Sequence, residues 1–143
     1  AAQILGVEAD LDSVIDHPEW TQEPEVCELL KEPLLTLCAR YMHQRRERDN
    51  APLDAVARFH LGNGARIEQL NWLGDVSTKG MRESCGIMVN YVYALNDIKE
   101  NIEAYSQEKQ IPAASRIRKR LSEDDTRTGP LSGLRRWGSR KGR

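Results

Sequence analysis

The chain has 143 residues, the length of one domain or a piece of one with room for a real core, and with 39% hydrophobic and 30% charged residues it has the composition of a soluble globular protein. No apolar run approaches the length of a membrane-spanning helix, so membrane insertion by a helix is excluded. The formal net charge of −1 is uneven: residues 126–143 carry six basic side chains and no acidic one, which leaves −7 on residues 1–125 and sets the tail apart.

Cys27, Cys38 and Cys85 form an odd, widely spaced set with no C-x-x-C pair, and no H-E-x-x-H is present. These features predict no metal site and a reducing, cytoplasmic compartment. The chain opens at Ala1 with neither an initiator methionine nor a signal-type apolar segment, which fits methionine removal and equally fits an excised fragment.

Taken in order, the first third reads as helical. Leu11, Val14 and Ile15 have helical spacing, and His17-Pro18 closes that run because the residue before proline is pushed out of the helical region. Pro18, Glu19 and Trp20 then make a corner. A second helix is predicted from Glu23-Pro24, with proline in its first turn, Glu25 complementing the dipole, and Val26, Leu29 and Leu30 facing inward. Pro33 restarts the helix, and Leu34, Leu37, Cys38, Tyr41 and Met42 make an amphipathic core stripe. The run HQRRERDN from His43 to Asn50 reads either as a solvated helix end or as a phosphate-contacting patch. Ala51-Pro52 ends it, and Leu53, Val56 and Ala57 lead by a helical turn into Phe59.

The stretch from Phe59 to Tyr93 brings polar chemistry and extended backbone together. In a strand, Phe59 and Leu61 share one face and His60 points to the other, beside a tight hairpin for which Asn63-Gly64 supplies the positive φ values. In the returning segment 65–72, Ile67 and Leu70 have opposite parity, which predicts a bulge or a strand covered on both faces. Asp75 or Ser77 caps a short helix that Gly86 terminates, after which Ile87, Val89, Tyr91 and Tyr93 share one parity of a strand of good β-formers. A helix follows from Asn96-Asp97 through Tyr105, and Pro112 opens a last one with Ala114, Ile117 and Leu121 on its inner side. This order makes an α+β layer arrangement over residues 1–125. The basic tail 126–143 has too few apolar residues to offset its ordering cost and is expected to be disordered and dispensable. On periodicity alone His60 is a candidate general acid or a structural histidine; His17 and His43 lie outside the stretch 59–93 and are expected at the surface.

Three ordered groups of residues go further. Phe59-His60-Leu61-x-Asn63-Gly64-Ala65, then Asn71-Trp72-x-x-Asp75-x-Ser77-x-x-Gly80, then Ser84-Cys85-Gly86-x-Met88-x-Asn90-Tyr91-x-Tyr93 closely resemble the C-terminal end of malonyl-CoA decarboxylase. The similarity reaches back through Glu19-Trp20, Pro33-Leu34 and Leu37-Cys38-Ala39 and forward to Ala114-Ser115. The resemblance implies a lyase that converts malonyl-CoA to acetyl-CoA and carbon dioxide without metal or organic cofactor. It also implies the C-terminal portion of an acetyltransferase-like (GNAT-like) catalytic domain, preceded in the family by a helical domain that takes part in forming a homo-oligomer.

On the family motif, the histidine falls on His60 and the tyrosine closing N-Y-x-Y falls on Tyr93. Asn63 adds either an amide donor or only the turn, and Tyr93 lines the site or belongs to the core. The family also uses a serine from an S-S-L-S-P-type segment, which these residues lack and for which Ser13, Ser77 and Ser84 do not substitute. The chain is therefore expected to be a piece of the enzyme, inactive and poorly folded alone. Two other readings stand beside this one. A non-catalytic acyl-CoA-binding or interaction fragment is favoured by the absent serine, and a nucleic-acid-binding module rests on residues 45–48 and the tail, against which the missing aromatic-basic interleaving argues.

Overall fold

The computed structural model describes residues 1–122 apart from Val7 and Pro18. The expected corner at Pro18, the boundary at residue 125 and the tail 126–143 lie outside the described residues.

The architecture is α+β, as the alternation of helical and strand-like segments predicts. Two short helices, α1 (Ala2–Leu5) and α2 (Leu11–Ile15), and a 3-10 turn at Trp20–Gln22 precede the long helix α3 (Pro24–His43). Helix α4 (Ala55–Gly62), strand β1 (Arg66–Asn71), helix α5 (Thr78–Ser84), strand β2 (Met88–Val92) and helices α6 (Ile98–Ser106) and α7 (Ser115–Ser122) follow. β1 and β2 pair antiparallel, and the register slips between Ile67 and Gln69, so the expected bulge sits at Glu68. The other edge of β1 is partly closed: the Ile67 amide donates to the Pro112 carbonyl at 2.9 Å and the Ala114 amide to the Ile67 carbonyl at 2.8 Å.

Two apolar clusters hold the layers. Trp20, Val26, Leu30, Leu34, Leu35 and Ile87 gather α2, α3 and the entry to β2, while Ala39, Met42, Ala57, Leu61, Ile67 and Ile117 gather α3, α4, β1 and α7. α3 feeds both, and this explains why Pro33 does not restart a helix as expected. Pro33 is exposed and forfeits one backbone bond, but the turns on either side of it bury Leu30 and Leu34 in one continuous stripe. The inner face differs in detail from the expected one, since Leu29 and Tyr41 are exposed and Leu35 and Ala39 are buried.

A larger correction concerns residues 59–64, which form the end of α4 and not a strand and hairpin. Asp54 caps the helix by accepting from the Ala57 amide at 2.8 Å, and the buried Ala57 and Leu61 are four apart, a helical and not an alternating spacing. Asn63-Gly64 closes the helix. The Ala65 amide donates to the His60 carbonyl and the Gly64 amide to the Leu61 carbonyl, both at 3.1 Å, the pair of bonds of a Schellman terminus with Gly64 at φ +89°.

The charged run begins as the end of α3, with His43 its last residue and Gln44 its cap. It folds back as a bridge between Arg45 and Pro52, with Arg46 paired to Asp49 and Arg45 donating to the carbonyls of Asn50 and Lys109. His43, expected at the surface, is half-buried, its Nδ1 donating to the Ala39 carbonyl at 2.8 Å and its buried Nε2 without a partner among the described residues.

Two consequences are measurable. At Gly64 an added Cβ would stand 2.7 Å from Ile98 Cγ2 and 2.9 Å from the Ile98 carbonyl, on a backbone that already has positive φ. Gly64→Ala is therefore expected to cost at least ~1–2 kcal/mol in denaturant unfolding. Burial, reinforced by the charges of Arg45 and Arg118, holds the His43 imidazole below its ordinary range despite the opposing Ala39 carbonyl. The unfolded chain then takes up this proton first as pH falls through about 6.5, so stability is full above that value and declines below it. The urea midpoint should fall between about pH 7 and pH 5.5, and His43→Gln should shrink that fall.

Candidate active site

Helix α4 ends where β2 ends, and this places His60 against two tyrosines. Leu61 and Ala57 anchor α4 in the core, which leaves His60 at the border of the buried stripe and Phe59 fully outside at 65% exposure. On β2, Tyr91 stands opposite Ile67, and Tyr93 follows one step past the strand with the same parity. His60 Nδ1 and the Tyr93 hydroxyl are 2.7 Å apart, a hydrogen bond whose donor depends on the imidazole tautomer. The Tyr91 ring lies face to face with the imidazole, centroids 4.3 Å apart and planes inclined by 19°. Nε2 of His60 has no hydrogen-bond partner among the described residues.

A polar layer lies behind these rings. Tyr41 on α3 donates to Asp54 Oδ2 at 3.2 Å, while Oδ1 of the same carboxylate caps α4. Burial raises the Tyr91 phenol far above its ordinary range, and the negative charge of Asp54 adds to the effect, so this ring is neutral at physiological pH. Burial also pushes the Cys38 thiol up to about 11, with Asp54 acting in the same sense, which makes Cys38 a poor nucleophile. Among the described residues no three His, Cys, Asp or Glu side chains gather to hold a metal ion.

Of the three residues singled out in the sequence, His60 and Tyr93 come together. Asn63 does not join them, because its side-chain amide donates back to the Phe59 carbonyl at 2.8 Å and so serves the helix end. Tyr91, Tyr41 and Asp54 were not singled out. The shared parity of Tyr91 and Tyr93 was the available signal, but reading residues 59–61 as a strand separated it from His60.

The chain has relatives. The family described as "Malonyl-CoA decarboxylase C-terminal domain" matches residues 2–129. The chain belongs to the malonyl-CoA decarboxylase family. It is 40% identical over 107 residues to the mitochondrial malonyl-CoA decarboxylase of Anser anser anser, covering 75% of this chain and 21% of that protein. With the corresponding rat protein it shares 38% over 118 residues, covering 81% and 24%. Among solved structures, malonyl-CoA decarboxylase from Rhodopseudomonas palustris superposes with a TM-score of 0.72 at 47% identity, over 79% of this chain and 27% of that one. The Agrobacterium vitis protein does so at 0.70 and 41%, over 80% and 30%. The chain thus spans about a fifth to a quarter of the curated malonyl-CoA decarboxylases that it matches.

Within the His60–Tyr93 pair, the Tyr93 hydroxyl, 2.7 Å from Nδ1, biases the tautomer of the imidazole. Tyr93→Phe removes a partner worth about 1 kcal/mol, so the ratio of Nδ1-H to Nε2-H tautomers of His60, read from ring ¹⁵N shifts, should move severalfold. An unchanged ratio would show that the bond is not made in solution.

Proposed function

We propose that this chain carries the histidine–tyrosine part of a malonyl-CoA decarboxylase site, in which His60 delivers the proton that completes formation of acetyl-CoA. The observation that carries the reading is the pairing of His60 Nδ1 with the Tyr93 hydroxyl, while Nε2 has no hydrogen-bond partner among the described residues. Breaking the bond between the malonyl α-carbon and its carboxylate releases carbon dioxide and leaves the electron pair on the α-carbon, delocalised into the thioester carbonyl as an enolate. The thioester is itself the electron sink. What the protein must add is a donor to the enolate oxygen and an acid for the α-carbon.

An imidazolium at His60 meets the second need. Its Nδ1-H donates to the Tyr93 oxygen and its Nε2-H is free to pass to the α-carbon, after which the neutral ring keeps the Nδ1-H that Tyr93 already holds. Solvent restores the Nε2 proton. The family's serine, expected from the resemblance, would work beside His60 from residues that this chain does not contain. The acetyltransferase-like fold belongs to the same proposal, and it is supported by the β1–β2 pair flanked by helices, in which β2 pairs only with β1 among the described residues. Malonyl-CoA is the proposed partner, and homo-oligomer formation is proposed for the whole enzyme.

Turnover of malonyl-CoA to acetyl-CoA by the intact protein tests the reading. His60→Ala should lower kcat by roughly two to four orders of magnitude, the range of a positioned acid or base. Normal turnover in that variant would remove His60 from the chemistry, and binding of acyl-CoA without turnover by the wild type would favour a non-catalytic module.

A further inference from the structure

Tyr93 can hold His60 by one bond only, and a single hydrogen bond leaves an imidazole free to tilt about it. Tyr91 supplies the missing constraint. Its ring covers one face of the imidazole at 4.3 Å with the planes 19° apart, whereas Tyr93 meets the same ring edge-on, centroids 5.9 Å apart at 62°. Tyr91 is itself fixed, since its backbone pairs opposite the fully buried Ile67 and its ring packs against the cluster that contains Ala57 and Leu61, the residues that anchor α4. One core therefore holds both the helix that carries His60 and the ring that His60 lies on.

We propose that Tyr91 is a positioning residue for the decarboxylation, its stacked ring fixing the plane of the His60 imidazole so that Nδ1 stays on Tyr93 while Nε2 faces the substrate. The assignment rests on the reading of His60 as the acid. The physical reason is geometric: rotation about the Cβ–Cγ bond of His60 would swing the imidazole into the Tyr91 ring, so the stack removes the orientations in which Nε2 misses the α-carbon. A misplacement of about 1 Å at a reacting group can cost on the order of a hundredfold in rate. The Tyr91 hydroxyl has no part in this, and the aromatic surface has all of it.

The test separates the ring from the hydroxyl. In the intact protein, Tyr91→Phe should keep kcat within about threefold of wild type, whereas Tyr91→Met, which fills the space with a flexible chain, should lower kcat roughly ten- to a hundredfold with KM changed by no more than about threefold. Methionine at this position should also move the His60 tautomer ratio toward that of a free imidazole. Equal impairment by Phe and Met, or no loss with Met, would overturn the assignment. Should the Met variant fail to fold, the wild type still decides: a stacked phenol must shift the His60 ring protons upfield, and unshifted resonances would end the proposal. These spectra need no turnover, so they judge the stack even where normal activity of His60→Ala has removed the decarboxylase reading.

Discussion

The fold turns on the place where α4 stops. Gly64 adopts φ +89° with the first turn of α6 pressed against it, close enough that any side chain there would meet the Ile98 carbonyl. Asn101 donates to the Gly64 carbonyl at 3.0 Å, and Asp97 pairs with Arg66 at 3.2 Å on the first residue of β1. A helix end, a strand start and a second helix thus share one tight junction that admits only glycine at its centre. Everything the site needs follows from that junction, because it sets the rotation of α4 and with it the direction of His60.

How much of this was legible in the sequence depends on the range of the signal. β2 and the bulge in β1 could be read because parity and β-propensity are local: Tyr91 and Tyr93 share one parity, and Ile67 and Leu70 do not. Ser77 as the cap of α5 was legible for the same reason, its hydroxyl accepting from the Gly80 amide at 3.0 Å. The Asn63-Gly64 pair was not, since a positive φ serves a hairpin and a Schellman terminus equally. What decides between them is the burial of Ala57 with Leu61, and the tertiary partners that bury them lie on α3, β1 and α7. Pro33 misled in a similar way, because local cost argues for a break and the two apolar clusters that α3 joins argue for continuity.

The members of the His60–Tyr93 pair were legible in the sequence, and the geometry of the pair was not. The motif marked His60 and Tyr93, although they lie 33 positions apart, but Tyr91 became visible only once α4 was a helix. In an extended segment His60 would have pointed away from the layer; at the end of a helix it lies across the sheet.

The electrostatics of the described body point the same way as its geometry. The arginines nearest the sheet are engaged: Arg66 with Glu68 and Asp97, Arg116 with Glu68, Arg120 with Glu32. Exposed pairs of this kind add little stability, but they occupy cations that would otherwise turn toward an anionic ligand. Asp54, the carboxylate beside Tyr91, is likewise taken up by the Ala57 amide and the Tyr41 hydroxyl. His60 is left with the neutral Tyr91 ring on one face, the Phe59 ring edge-on at 5.2 Å and the Tyr93 hydroxyl at Nδ1. In such surroundings the direction in which each imidazole nitrogen points is set by packing and by the one bond to Tyr93.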